Sequence, residues 1–452
     1  SEPTEKDNSL MHGLSFRAVL AATFTGTFAL GACSDDSSNP TSASVADAGR
    51  PDSAPALDAG PKPGPLRPVV AVGGAHVCAI LADDTLRCWG SNAVGELGNP
   101  QVVAQSDGTY TFDGESAPFP RPASAGKVAS VALGIFDSYD QQATCAVLPD
   151  SNVSCWGSDR TGALGRGDSS AAFADRPHAE ALPVLGLGRA VQVATNGAFS
   201  CAVGTSGDVR CWGSNETFVT GTTLAGDVRS AMVVPLPEGR KATAVTVGVA
   251  HACALLDDAT VACWGSDSVG EIGRAADAQQ SPSPTPTVVS ALGDVVEIGA
   301  GYYDTCARTK QGQILCWGLN EYGELGRAAS DSALHSDFAS ALVRLPPSGV
   351  ASQLAVGYVH ACAVLSDGTI WCWGSNISGE LGSGSVSAAQ SAQPVKVDGL
   401  PGPAVSVTAG ALLTCAVLED RTVWCWGDNS HGALGQMDVD TVAHPLPAQV
   451  KF

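Results

Sequence analysis

The sequence predicts an all-β fold: seven small sheets of four strands each, set side by side in a closed ring. Three observations predict it. A cysteine pair with a constant ten-residue spacing occurs seven times, as Cys78/Cys88, Cys145/Cys155, Cys201/Cys211, Cys253/Cys263, Cys306/Cys316, Cys362/Cys372 and Cys415/Cys425. Each second cysteine opens a Cys-Trp-Gly. The second cysteines follow one another at intervals of 67, 56, 52, 53, 56 and 53 residues, room for four strands and their connections. A chain of 452 residues is long enough for two or three domains. Repeats of this kind argue instead for one array, because repeat architectures grow past the usual domain size.

The unit reads as a hairpin. In the clearest copy the residues after Gly368 are Thr369, Ile370, Trp371, Cys372 and Trp373, which favour strand. Asp367 is the midpoint of Cys362 and Cys372. A three-residue loop of Ser366, Asp367 and Gly368, glycine left-handed, is a common hairpin connection. It sets the two cysteines opposite each other, within reach of a cross-strand disulfide. Gly207 and Gly312 also suit the left-handed site, Asp84 and Ser151 are tolerable there, and Ala259 and Arg421 are poor. The spacing is therefore a stronger signal than the turn. Buried thiols and metal ligation are the alternatives. Zinc sites favour cysteines about two to four residues apart, a spacing absent here. Each short loop closed by a disulfide contributes about 2–3 kcal/mol in the chain-entropy model.

Neighbouring strand residues point to opposite faces. The second cysteine of each copy faces one way and the next residue (Trp89, Trp156, Trp212, Trp264, Trp317, Trp373 or Trp426) the other. Such a sheet needs cover on both sides, and neighbouring sheets in a ring supply it. Trp371 and Trp424 lie two positions before their Cys-Trp-Gly tryptophan and share its face.

Taken in order, residues 1–10 are polar and precede the first methionine, so the natural start is expected at Met11. Residues 11–32 read as a signal peptide. Arg17 marks a short basic region, and an apolar run from Ala18 to Phe28 follows, too short to cross a membrane. Leu30-Gly31-Ala32-Cys33 resembles the lipobox of bacterial lipoproteins, and that resemblance implies lipidation of Cys33. It accounts for the one cysteine, of fifteen, left outside the pairs. Export implies an oxidising compartment in which disulfides persist. Residues 34–65 are rich in Ser, Asp, Ala and Pro, hold no aromatic residue, and read with Cys33 as a tether. As a flexible coil it would span about 30 Å. Residues 66–452 are the repeats.

Five of the seven copies also carry a glycine five positions before the first cysteine, as in Gly73, Gly248 and Gly357. After the Cys-Trp-Gly most copies have Gly-Glu/Ala-Leu/Ile-Gly, at residues 95–98, 162–165, 270–273, 323–326, 379–382 and 432–435; the third copy reads Glu216-Thr217-Phe218-Val219-Thr220 instead. Gly-x-x-His-x-Cys-Ala, hairpin, Cys-Trp-Gly-Ser-Asn and Gly-Glu-Leu-Gly together resemble the regulator of chromosome condensation repeat. The resemblance implies a seven-bladed β-propeller with four-stranded blades, in the form of a secreted bacterial lipoprotein member. Most copies are preceded by a Pro-x-x-Val segment such as Pro394 to Val397, which the first copy lacks. The segment 445–452 is therefore expected to supply the missing strand of the first blade and close the ring.

Chemistry is harder to find. His76, His251 and His360 share one repeat position, where the other copies have Ala143, Phe199, Asp304 and Leu413, which points to blade packing. His178, His335, His431 and His444 are scattered. No Ser-His-Asp set, zincin helix, phosphate loop or dinucleotide fingerprint occurs, so no enzyme, cofactor or metal is expected. A formal net charge of −21 argues against nucleic acid and against anionic lipid. The departures from the repeat are the candidate binding loops. The first linker holds Asp107, Tyr110, Phe112, Asp113, Glu115 and Phe119. Six residues inserted in the second copy bring Phe136, Asp137, Tyr139 and Asp140. Aromatics beside carboxylates on loops suit a binding surface.

The expected function is a monomeric, non-enzymatic binding or scaffold protein of the bacterial cell envelope. Only the lipid on Cys33 touches the membrane, and the ring faces the periplasm or the exterior. The expected partner is another protein, with a glycan as the second class. The family resemblance implies protein binding, including a Ran-type GTPase and, in a secreted bacterial relative, β-lactamase. Guanine-nucleotide exchange, the activity of the founding nuclear member, is the alternative, and export and acidity count against it. An envelope hydrolase or lyase acting at the propeller face is the third class. Replacing the lipobox cysteine (Cys33→Ser) is expected to move the protein from the membrane to the soluble fraction on ultracentrifugation. Continued sedimentation with membranes would rule out the lipid anchor.

Overall fold

The computed structural model describes residues 69–98, 102–104, 110–112, 116–134, 141–167, 178–224, 226–274, 281–290, 292–328, 336–347, 349–386 and 390–452. Cys33, Asp107, Asp113, Glu115, Phe136, Asp137, Tyr139 and Asp140 lie outside the described residues. Tyr110, Phe112 and Phe119 are described in their backbone alone.

Seven antiparallel four-stranded sheets make up the fold. Blade 1 holds β1 (Val69–Val72), β2 (His76–Ile80) and β3 (Thr85–Ser91); after a small ribbon of β4 (Val102–Ala104) and β5 (Tyr110–Phe112) it is completed by β6 (Ser116–Lys127). Blade 2 is β7 (Ser130–Leu133), β8 (Ala143–Val147), β9 (Val153–Gly157) and β10 (His178–Pro183). Blade 3 is β11 (Ala190–Thr195), β12 (Phe199–Gly204), β13 (Val209–Gly213) and β14 (Val228–Val234). Blade 4 is β15 (Ala242–Val247), β16 (His251–Leu256), β17 (Val261–Gly265) and β18 (Ser283–Val288). Blade 5 is β19 (Val295–Ala300), β20 (Asp304–Thr309), β21 (Ile314–Leu319) and β22 (Ser336–Leu342). Blade 6 is β23 (Ala351–Val356), β24 (His360–Leu365), β25 (Ile370–Ser375) and β26 (Gln390–Lys396). Blade 7 is β27 (Ala404–Ala409), β28 (Leu413–Leu418), β29 (Val423–Gly427) and β30 (His444–Gln449). The first strands of neighbouring blades meet around the axis and the fourth strands form the rim.

The cysteine hairpin is the second-to-third strand connection of every blade. Its register sets each pair opposite, and all seven disulfides form within their own blade. They are Cys78–Cys88, Cys145–Cys155, Cys201–Cys211, Cys253–Cys263, Cys306–Cys316, Cys362–Cys372 and Cys415–Cys425, with Cα atoms 4.0–4.1 Å apart. All fourteen cysteines are buried, so they are structural and are closed to any ligand. The left-handed residue is present in all seven loops, including the unpromising Ala259 (φ 64°) and Arg421 (φ 72°). An aspartate just before that residue helps in several. The carboxylates of Asp258, Asp367 and Asp420 accept from the amide and hydroxyl of Thr260, Thr369 and Thr422. That local bonding offsets the steric cost of the turn.

The outer side of the third strand is less regular than simple alternation predicts. Cys211 and Cys425 keep their partners on the second strand, yet their register with the fourth strand shifts before Gly213 and Gly427. The cause is the glycine of Cys-Trp-Gly. Gly213 and Gly427 take φ of 108° and 111°, and a Cβ there would strike the Ala198 and Leu412 carbonyls. The bulge bends the strand without moving the disulfide.

The disulfide and the tryptophan of one blade face opposite neighbours, as alternation requires, so each gap holds the disulfide of one blade and the tryptophan of the next. Between blades 1 and 2 the buried layer includes Cys78, Cys88, Leu97 and Trp156. Between blades 3 and 4 it includes Cys201, Cys211, Val219 and Trp264, and between blades 4 and 5 Cys253, Cys263, Ile272 and Trp317. Across the seam between blades 7 and 1 it includes Cys415, Cys425, Leu434 and Trp89. Each of the seven indoles donates from Nε1 to a backbone carbonyl of the preceding blade, at 2.7–3.1 Å. The acceptors are Ala433, Glu96, Ala163, Val219, Glu271, Glu324 and Glu380, the second residue of each Gly-x-x-Gly turn. The third copy keeps that turn without its sequence. Phe218, at φ 61°, stands where the other copies have glycine, and Val219 supplies the carbonyl.

Ring closure differs from the sequence expectation. The C-terminal strand β30 pairs with β29 inside blade 7, and blade 1 has its own outer strand, β6. The Pro-x-x-Val segment before each copy is the rim strand of the preceding blade, so the first copy has no missing strand to recover. Blades 7 and 1 join face to face instead, as the other blades do, with no strand shared between them. Trp89 donates to the Ala433 carbonyl at 2.9 Å, Val450 is buried in the same layer, and the Phe452 ring meets Trp89 edge-on at 5.8 Å. The prolines at 445 and 447 suit an edge strand that must not pair further. Deleting residues 444–452 strips the rim of blade 7 and opens the seam with blade 1. The melting temperature is expected to fall sharply in a calorimetric scan, and an unchanged melt would contradict the role of this tail.

Candidate binding face

The two ends of the ring differ. One carries the disulfide hairpins and the connections between blades. The other carries the turns between first and second strands and both anchors of every third-to-fourth strand connection. Hydrogen bonds join these at one end: Ser91 N to Ala75 O, and Leu319 N to Tyr303 O. Register pairs such as Ser91↔Ser116 and Leu319↔Ser336 bring the fourth strand back to the same place.

The described flanks of both sequence-selected segments lie at this turn end. The linker with Tyr110 and Phe112 connects the third and fourth strands of blade 1. The insertion with Phe136 and Tyr139 lies between Gly134 and Gln141, in the turn of blade 2. The Gly74 amide donates to the Gly134 carbonyl, which sets the two blades' turns side by side.

The turns form a collar around the axis. Val249 donates to Tyr302, Tyr302 to Tyr358, Tyr358 to Gly410 and Ala411 to Gly73, each backbone to backbone at 3.0–3.4 Å. The recurrent glycine follows from this closeness: a Cβ on Gly357 would stand 2.6 Å from the Gly410 carbonyl, and one on Gly134 2.5 Å from the Gly197 amide. Collar positions hold small residues in several blades and tyrosine in two. The Tyr302 ring lies 4.3 Å from Tyr303 and 4.6 Å from Tyr358, which is fully buried, while Tyr322 flanks the same layer. Burial, then Tyr302 and Glu271, push the Tyr303 phenol up. Sequence reasoning did not select these tyrosines. Their signal was the aromatic pair at 302–303 where other copies place Gly74-Ala75 or Gly197-Ala198.

The recurrent histidines pack blades, as expected. His76, His251 and His360 approach the hydroxyls of Thr144, Thr305 and Thr414 in the following blade through Nε2, at 2.8–2.9 Å. Each threonine donates onward to the carbonyl of Glu96, Glu271 or Glu380, the one that the tryptophan also uses. The hydroxyl proton is thereby committed, so Nε2 carries the hydrogen in His251 and His360, while His76 also meets Gln142 Oε1 through Nδ1 at 3.0 Å. Where the first position is Phe199 or Leu413, the next blade answers with Ala252 or Val77 in the same apolar layer. Burial lowers the imidazoles to about 4, 3 and 3 for His76, His251 and His360. Burial raises Glu297 and Glu324 to about 7, and pushes Asp304 well above the carboxylate range with Glu324 adding to it. No set of three or more His, Cys, Asp or Glu side chains converges among the described residues.

A ring of seven such blades, disulfide-stitched and joined by indole–carbonyl bonds, defines a propeller of the RCC1-like class. The RCC1-like domain model matches residues 141–452, and the regulator of chromosome condensation (RCC1) repeat matches 70–96. The chain belongs to the RCC1 repeat family. The ultraviolet-B receptor UVR8 of Arabidopsis thaliana is 27% identical over 81% of this chain and 78% of its own length. The human E3 ubiquitin-protein ligase HERC2 is 29% identical over 85% of this chain, which spans 7% of that protein. Prp20p of Saccharomyces cerevisiae, solved in a study of its binding to Gsp1p and histones, superposes with a TM-score of 0.68 at 22% identity, covering 81% of this chain and 86% of its own. At that identity the likeness speaks for the fold.

The buried titrating groups set opposing pH limits. The histidines have lowered folded values, so stability falls as pH drops from about 6.5 toward 3–4 and the unfolded chain takes up protons. Glu297 and Glu324 have raised folded values, so their contribution is complete below about 4.5 and is lost as pH rises through about 7. The melting temperature is expected to peak near pH ~5–6 and decline on both sides. Glu324→Gln is expected to flatten the alkaline limb. A melt independent of pH between 5 and 8 would contradict the burial of these groups in the folded state.

Proposed function

We propose that this chain is an envelope-anchored, non-enzymatic binding protein that engages another protein through the turn end of its ring. One observation carries this: the segments that depart most from the repeat are all anchored at one end, while the chain enters the ring at the other. Val69 opens β1 opposite Ile80, beside the Asp84 hairpin. A lipid on Cys33 and a tether running to Val69 would approach the hairpin end and leave the turn end facing away from the membrane. The ring then acts as a rigid stand, and its variable segments meet the partner.

The relatives fit this mode. Prp20p was solved with its binding to Gsp1p and histones described, and yeast RCC1 was solved bound to Kap60. UVR8 is a receptor by name. The partner of this chain is sought in the same compartment. A crosslinking pull-down compares the folded protein with a variant carrying Tyr110→Ser, Phe112→Ser, Phe136→Ser and Tyr139→Ser, against envelope extract of the source organism. One protein captured by the parent and lost in the variant is the expected outcome. Capture unaffected by the four changes would remove the turn end from the function, and no protein captured would favour a glycan.

A further inference from the structure

All the tyrosines among the described residues fall in turn-end connections: Tyr110, Tyr302, Tyr303, Tyr322 and Tyr358. No lysine falls in any of them. Lys127, Lys241, Lys310 and Lys396 lie at or beside hairpins, and Lys451 follows the last rim strand. Among the described residues the exposed carboxylates of these connections are Glu216, Asp227, Glu321 and Asp438, against one exposed arginine, Arg160. Three of the arginines they do carry are turned inward. Arg166 and Arg327 donate to the carbonyls of Cys155 and Cys316, both at 3.2 Å, and Arg274 pairs with Asp267 at 2.7 Å. The ring is therefore polar end to end in residue type as well as in topology.

We propose that the turn end of blades 5 and 6 is a docking surface for a lysine- or arginine-bearing segment of a partner protein. The inference rests on the binding reading above and adds the partner's chemistry. Tyr302, Tyr303 and Tyr322 are half-exposed around the buried Tyr358, and the exposed Glu321 adjoins Tyr322. Tyrosine offers a broad apolar ring at small entropic cost and a π-face that attracts ammonium or guanidinium groups. Carboxylates around it steer a basic partner to this end, and the scarcity of competing cations preserves the attraction.

Fluorescence anisotropy of the full chain with a labelled lysine–arginine oligopeptide, against an oligoglutamate of equal length, tests this. The basic peptide is expected to bind and the acidic one not, with affinity falling at least ~10-fold between ~0.05 and ~0.5 M salt. Glu321→Lys and Tyr303→Ser are each expected to weaken binding by ~3-fold or more, with unchanged melting temperature for the exposed Glu321 site. Glu419→Lys and Glu238→Lys, on the hairpin end, are expected to leave peptide binding unchanged. Equal binding of both peptides, or loss only in the hairpin-end variants, would overturn the proposal. A partner captured from envelope extract through the turn end, but insensitive to Glu321→Lys and to salt, would leave the binding function standing and overturn its basic chemistry.

Discussion

The fold depends on one interaction repeated seven times: an indole buried in one layer with the neighbouring blade's disulfide and donating its N–H to a backbone carbonyl of that blade. Without that acceptor each buried indole N–H would be left unpaired, at a cost of about 1–3 kcal/mol. The carbonyl is offered by a tight Gly-x-x-Gly turn that closes on itself. The Leu97 amide donates to the Asn92 side chain and the Glu96 carboxylate takes the amides of Ala93 and Val94. The Asn92 brace acts on the main chain of the turn, so where the second residue is Ala or Val the glutamate's bonds are lost and the carbonyl acceptor is kept. This explains why the third blade survives with Phe218 and Val219 in place of Gly-Glu: the acceptor is a backbone atom, and Asn215 still braces the turn through the Thr220 amide.

Much of this was legible in the sequence, because alternation converts a fixed cysteine spacing into a register and a register into two faces. The disulfides, the tryptophan side and the number of blades all follow from it. The phase of the repeat did not. The Pro-x-x-Val segment reads equally well as the first strand of one copy or the last of the copy before, and only pairing partners separate the two. The bulge beyond Cys211 and Cys425 was hidden for a related reason: it is a relation between the third strand and a fourth strand whose position the spacing leaves open. The candidate face was half legible. Tyr110 and Tyr139 drew notice by lying in insertions, whereas Tyr302 and Tyr358 replace small residues without changing length. Their gathering depends on blades folding edge to edge about an axis, a relation between positions 56 residues apart.

The histidine positions show how identical blades acquire fixed neighbours. His is answered by Thr in the next blade, Phe199 by Ala252 and Leu413 by Val77. A histidine blade placed beside an alanine blade would bury an imidazole without its acceptor, and a phenylalanine blade beside a threonine one would crowd it. Each mismatch costs on the order of 1–3 kcal/mol. Order around the ring is therefore specified by pairs of side chains at the junctions, while the backbone of every blade stays the same.

Because every blade takes its four strands from one uninterrupted stretch of chain, no sheet spans the seam. The unit that folds is the unit that a gene duplication copies. A blade added or removed at a hairpin-end connection would leave all remaining sheets whole and would ask only two junctions to find new matches. Such a ring can change its circumference by whole steps, and its lineage can experiment with new faces without first learning a new way to close.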